Sequence, residues 1–153
     1  MSPLPKQLLT RLDRIPSIVE GLGLRPNHQI LEIGCGHGVA ADLICRMLDH
    51  GRIIAIDRSE KMISAALRRN ARHVETSKAD FLVADVEHYR PGTQRFDLIL
   101  AIRVGLFHRE RQRAHALVTP WLRPGGRIVA ISDQPALQKH PLKKGSVRAF
   151  DHF

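Results

Sequence analysis

Five short, almost unbroken apolar runs separated by segments of helical periodicity constrain this chain more than any other feature. The runs are QILEI (29–33), RIIAID (52–57), ADFLVAD (79–85), FDLILAI (96–102) and RIVAIS (127–132). A strand with one wet face alternates apolar and polar side chains, whereas a strand covered on both faces is apolar throughout. Between the runs, VAADLICRMLDH (39–50) and SEKMISAALRRNARH (59–73) carry apolar residues three and four apart, and residues 107–118 read as a further helix. Ser59 is placed to cap the second of these helices, and Gly51 stands where the first would end. Strands alternating with helices predict an α/β fold with a doubly wound, mainly parallel sheet.

The 153 residues fit one domain, 1–153. Residues 1–24 read as an N-terminal helical segment with a kink at Pro16, 25–132 as the core, and 133–153 as a short basic tail. LRPGG (122–126) reads as a turn before the last strand. The start lacks an apolar signal core and no run approaches a membrane span, so the expectation is a soluble, cytoplasmic protein without membrane association. Cys35 and Cys45 have no CxxC or zinc spacing and read as reduced thiols. The nine histidines form no metal-spaced cluster, and no metal is expected.

The formal net charge of +9 attracts polyanions and small acidic molecules alike. Its sources are spread along the chain, and one Tyr with one Trp supplies little stacking surface for single-stranded nucleic acid. Nucleic acid is therefore the minor expectation for a partner, and a small molecule the major one.

Ligands of open parallel sheets bind beyond the carboxyl ends of the strands, where strand order reverses. The first run delivers Glu32-Ile33-Gly34-Cys35-Gly36-His37-Gly38 to that place. The dinucleotide fingerprint GxGxxG would need its third glycine at position 39, which is Val39. The spacing here is GxGxG. Glu32 is an acid inside an apolar strand, which is costly unless a cation lies near. An α-ammonium meets that need, and a pyrophosphate does not. Asp57 ends the second run, where a carboxylate can accept from ribose hydroxyls. Asp85 ends the third, where it could accept from an adenine amino group.

With LEIGCGHG, IIAIDRSEKM, ADV after the third run, FDLILAI and LRPGGRIVAI, the chain resembles the class I S-adenosylmethionine (SAM) dependent methyltransferases over about residues 25–132. The resemblance implies their Rossmann-like core and SAM as cofactor. It also implies that Glu32, Gly34, Cys35, Gly36 and Gly38 hold the methionine end. Asp57 would hold the ribose, Arg58 and Met62 would flank the adenine, and Asp85 and Val86 would meet its edge. Ile102 and Arg103 would lie near the transferring methyl.

A general base is needed only for a nucleophile that holds its proton tightly. His108 and Asp133 are the candidates, after the fourth and fifth strands. His37 reads as solvent-facing. Ala101-Ile102-Arg103-Val104 replaces the Asn/Asp-Pro-Pro-Tyr run of amino-directed DNA methylation, and no cysteine pair suits cytosine C5 attack. The acceptor expected is a small molecule. The 21 residues after Ser132 are too few for the helix and two antiparallel strands that normally complete the family core. The C-terminal hairpin is thus expected truncated or absent, with the fifth strand an exposed edge open to a homodimer. Two rival readings follow: a non-catalytic SAM sensor or subunit of a larger complex, and, from charge alone, an RNA-directed methyltransferase.

Overall fold

In the computed structural model, residues 14–132 are described. Five strands, β1 (Gln29–Ile33), β2 (Arg52–Asp57), β3 (Ala79–Val83), β4 (Phe96–Ile102) and β5 (Leu122–Ile131), form one sheet in the order β3-β2-β1-β4-β5. Every neighbouring pair is parallel. The expected α/β doubly wound sheet is present, and strand order reverses between β1 and β4.

The apolar runs are continuous because successive side chains enter two different cores. Ile30, Ile53, Ala55, Leu98, Leu100 and Val129 pack on one face. Leu31, Ile33, Ile54, Ile56, Ile99, Ala101, Ile128 and Ala130 pack on the other. The first face is covered by α1 (Ile15–Glu20), α2 (Val39–Met47) and α3 (Glu60–Arg69), through residues such as Val19, Ile44 and Ala66. The second is covered by α5 (Gly105–Arg109) and α6 (Arg111–Val118), through Phe107, Ala114 and Val118, and by Trp121 after them. Each fully buried aliphatic side chain contributes roughly 1.5–3 kcal/mol relative to its exposed state.

Several local expectations are corrected. The helix expected over 59–73 is two, α3 and α4 (Ala71–Glu75), divided at Asn70. Asn70 is fully buried, and its Nδ2 donates to the carbonyls of Ala66 (2.9 Å) and Gly38 (3.1 Å). A side-chain amide bonded to the preceding turn competes with the helix ladder, which fits a break at this position. The helix expected over 107–118 begins earlier, at Gly105, and is interrupted at Glu110. Gly51 caps nothing: α2 ends at Met47 with Leu48 extended, while the Gly51 N–H donates to Pro26 O at 2.8 Å. A Cβ on Gly51 would lie 2.4 Å from the His28 carbonyl, so this glycine serves a close backbone approach. The turn LRPGG lies inside β5, whose pairing with β4 shifts register between Phe96 and Leu98. Pro16 stands in the first turn of α1, where its missing N–H costs nothing. Residues 5–13 of the expected N-terminal helix, Asp133, and the tail where the terminal hairpin was expected short lie outside the described residues. Within them, β5 is the outermost strand on its side. No helix among them is long and apolar enough to cross a membrane.

Candidate functional site

The carboxyl ends of the strands open into a cleft of about 760 Å³ lined by residues of the β1, β2, β3 and β4 loops. Gly34, Asp57, Arg58, Asp85, Val86 and Arg103 all line it, so four separate loops bring six of the sequence-derived candidates together.

The loop after β1 is shaped by its glycines. Gly34, Gly36 and Gly38 have φ of 70°, 55° and 80°, in the left-handed region that costs an L-residue roughly 1–2 kcal/mol. At Gly36 a Cβ would meet nothing within 4 Å, so this side of the bend is open to a ligand. At Gly38 a Cβ would lie 2.5 Å from Asn70 Nδ2 and 3.1 Å from Ala66 Cβ. Gly38 thus serves a close approach to α3 and to the asparagine that ends it.

Asp57 organises the floor. Its Oδ2 accepts the Gly36 N–H and its Oδ1 the Ser59 N–H, both at 2.9 Å. The carboxylate thus ties the glycine loop to the start of α3, where the Ser59 hydroxyl accepts from Met62 N–H as the cap. A carboxylate has about four lone-pair sites, so each oxygen keeps one for a ligand hydroxyl. Asp85 lies two residues beyond β3 and accepts the Glu87 N–H at 3.0 Å.

Glu32 does not line the cleft. Its exposure is 2%, it shares the Ile30 face of β1, and its Oε1 has no partner. Burial first, and then the Asp57 charge, push its carboxyl up to about 8. The group holds its proton at neutral pH, and a cation beside it would draw that proton off. Cys35 is buried as well; burial first, then the Glu32 and Asp57 charges, push its thiol up. Met62 is exposed on α3, and Ile102 is half-buried against the first core. His108 is exposed on α5 and does not line the cleft, which that helix approaches through Leu106 and Arg109.

Several contributors were missed in the sequence, among them Asn70, Val104 and Arg109. Asn70 falls at the apolar spacing of Ile63 and Ala66, and an amide within a buried stripe was the available signal. Val104 and Arg109 line the cleft because the helix after β4 begins two residues earlier than its periodicity suggests.

Comparison with known proteins agrees with this geometry. The profile of the methyltransferase domain family matches residues 30–126. Phosphoethanolamine N-methyltransferase 1 of Arabidopsis thaliana is 32% identical over 132 residues, covering 85% of this chain and 26% of that protein. A probable cobalt-precorrin-6B C(15)-methyltransferase (decarboxylating) of Thermoplasma volcanium is 32% identical over 134 residues, 82% of this chain and 65% of that protein. The chain therefore spans about a quarter of the first relative's length and under two thirds of the second's. Among solved structures, a SAM-dependent methyltransferase from Geobacter sulfurreducens in complex with S-adenosyl-L-homocysteine superposes with a TM-score of 0.67. It is 19% identical and covers 77% of this chain and 47% of that one.

Proposed function

The chain belongs to the methyltransferase domain family, and from that premise we propose that it binds SAM and transfers its methyl group to a small-molecule acceptor. The observation that carries this reading is the cleft at the reversal of strand order, where Asp57 braces a glycine bend whose outer side is open at Gly36. The residues suit the cofactor. The uncommitted lone pairs of Asp57 match a pair of ribose hydroxyls, and the partnerless oxygen of Glu32, though outside the cleft lining, would answer an ammonium that reaches behind the glycine bend. Val86 and Met62 offer apolar surface to the adenine, with Asp85 and Arg58 at its rim and Ile102 and Arg103 on the reacting side. Gly34, Cys35 and Gly38 shape the bend around the methionine end.

Bound SAM supplies a methyl already activated on a sulfonium sulfur, for in-line displacement by a nucleophile. The protein's part is then alignment and exclusion of water, which together account for many kcal/mol of barrier. The left-handed backbone held at Arg103, a costly one for an L-residue, is consistent with a preorganised site. His108 and Asp133 are kept as candidate bases on sequence grounds.

A non-catalytic sensor is the second reading, favoured by the position of His108 away from the cleft lining. Calorimetry with SAM and S-adenosylhomocysteine (SAH) tests the site: both bind on either reading, and absence of heat with folded protein sinks both. Transfer of a labelled methyl to a panel of small amines, phenols and carboxylates separates enzyme from sensor. Two buried free thiols agree with a reducing, cytoplasmic setting. Pairing of two copies along β5 is a further proposal, read by light scattering.

A further inference from the structure

We propose that the acceptor carries an anionic group, a carboxylate or a phosphate, and that the guanidinium groups of Arg103 and Arg109 receive it at the mouth of β4. This inference rests on the methyl-transfer reading. Both arginines line the cleft that contains Asp57. Arg103 is the first residue after β4 and holds φ at 57°, one of two non-glycine residues in the left-handed region among the described residues. Its N–H donates to the Ile131 carbonyl at 2.8 Å, which pins this costly conformation between β4 and β5. Arg109 is fixed differently. Its guanidinium folds back over Gly105, so that a Cβ there would lie 2.8 Å from Nη2 and 3.0 Å from Nη1. The first residue of α5 thus has no side chain where the arginine crosses it.

The acids around the cleft are already engaged. Glu87 and Glu110 both pair with Arg113, the former at 2.8 Å. Asp57 accepts two backbone amides, and Asp85 accepts the Glu87 N–H. Among the described residues Arg109 has no ion pair, and the two glutamates that share its cleft, Glu87 and Glu110, are engaged by Arg113. Two arginines lining one mouth supply the fork of donors that matches the planar, two-oxygen edge of a carboxylate or a phosphate. They lie on the β4 side, whereas Asp57 and Arg58 follow β2.

The test uses the whole chain. SAH is titrated into wild type, Arg103→Gln and Arg109→Gln. Inorganic phosphate and acetate are then titrated into the SAH-saturated proteins, followed by the arginine Nε–H signals. Saturable millimolar binding is expected in wild type, tenfold weaker or worse in each variant, with SAH affinity in Arg109→Gln held within twofold. The tighter of the two ions names the group. No saturable response to either ion, or an equal response in the variants, overturns the proposal while SAH binding still supports the cofactor reading. A tenfold loss of SAH affinity in Arg109→Gln also overturns it, by giving that guanidinium to the cofactor. Failure of SAH to bind wild type is the distinct result that removes the methyl-transfer reading beneath it. If Arg103→Gln fails to fold, Arg109→Gln decides alone, because its side chain is exposed.

Discussion

At the amino ends of the strands, polar groups answer one another. Asp97 accepts the Gln29 N–H at 2.7 Å and pairs with Arg123, Arg52 pairs with Asp80, and Lys78 donates to the Leu48 carbonyl at 2.7 Å. At the carboxyl ends, Glu32 keeps a partnerless oxygen, three glycines and Arg103 hold left-handed backbone, and the outer side of Gly36 is empty. Both ends have a cleft; the one at the amino ends, lined by Arg52, Arg95 and Arg123, measures about 480 Å³. Cavity alone does not separate them. Left-handed backbone does not either, since Ser77, just before β3, holds φ at 60° and Gly125, within β5, holds 80°. Unmet buried polarity beside an open glycine bend does, because a fold retains such a cost where surrounding structure over-determines it, and such groups cluster at ligand sites. The amino end has its own exception in the Nε of Arg52, but that side chain is two-fifths exposed and already ion-paired.

The comparison is broken most directly by filling a position that only glycine tolerates. Gly38→Val places a Cβ 2.5 Å from Asn70 Nδ2 and 3.2 Å from the backbone of α3, at a φ of 80°. Overpacking and left-handed strain together predict a loss of about 4 kcal/mol or more, read by chemical denaturation. A loss below about 1 kcal/mol would mean that the glycine loop is not built against α3 at all.

The unmet polarity has a pH signature of nearly the same size. Glu32 sits near 8 in the folded protein against 4.5 in the unfolded chain, so the folded state retains a proton that the unfolded state releases. Stability is therefore greatest at low pH as far as this group is concerned. It falls as pH rises through the window and levels off above 8, by roughly 3–4 kcal/mol between pH 5 and pH 8. Glu32→Gln should flatten that slope; an unchanged slope assigns it to other groups. Calorimetry at pH 7 in buffers of differing ionisation enthalpy sharpens the point. SAM should release protons on binding, and 5′-methylthioadenosine, which lacks the amino acid, should release none.

Asp57→Ala removes the brace between the glycine loop and α3. SAM affinity should weaken by about 1.5–3 kcal/mol, the range for charge-assisted hydrogen bonds, in a protein that still folds. Unchanged affinity in the folded variant would confine Asp57 to holding its two amides.

The sheet was legible in the sequence because strands buried on both faces carry few polar residues between their ends. β1, β2 and β4 fall on their apolar runs to the residue. What was not legible lies where a side chain or a distant backbone overrides local periodicity. Asn70 ends α3 through its amide, although the helical pattern runs on past it. Gly51 looks like a cap by position but is set by the His28 carbonyl on a neighbouring segment. The turn residues Pro124 to Gly126 look like the end of an element and are instead an excursion within β5. In the site, the acids at strand ends and the GxGxG spacing were readable because each serves its own local bend. The inward burial of Glu32, away from the cleft lining, depends on which face of β1 it occupies, and an unbroken apolar run does not mark the faces. Arg109 was hidden for a different reason: its placement follows from the missing side chain at Gly105, four residues earlier.

The smallest expected effect guards the other half of the comparison. Arg123→Ala removes a half-exposed guanidinium 3.5 Å from Asp97, and Asp97 keeps the Gln29 N–H as its main partner. Exposed pairs of this kind contribute about 0–1 kcal/mol, so stability should change by less than about 0.5 kcal/mol and SAH affinity not at all. The cleft beside Arg123 is open and arginine-lined, which is why this variant matters. If ligand binding fell tenfold, the amino-end cleft would be coupled to the site, and orphaned polarity beside an open glycine bend would no longer be what tells the two ends apart. If affinity holds, volume and positive charge are present at both ends, and only the end with the braced glycine bend binds.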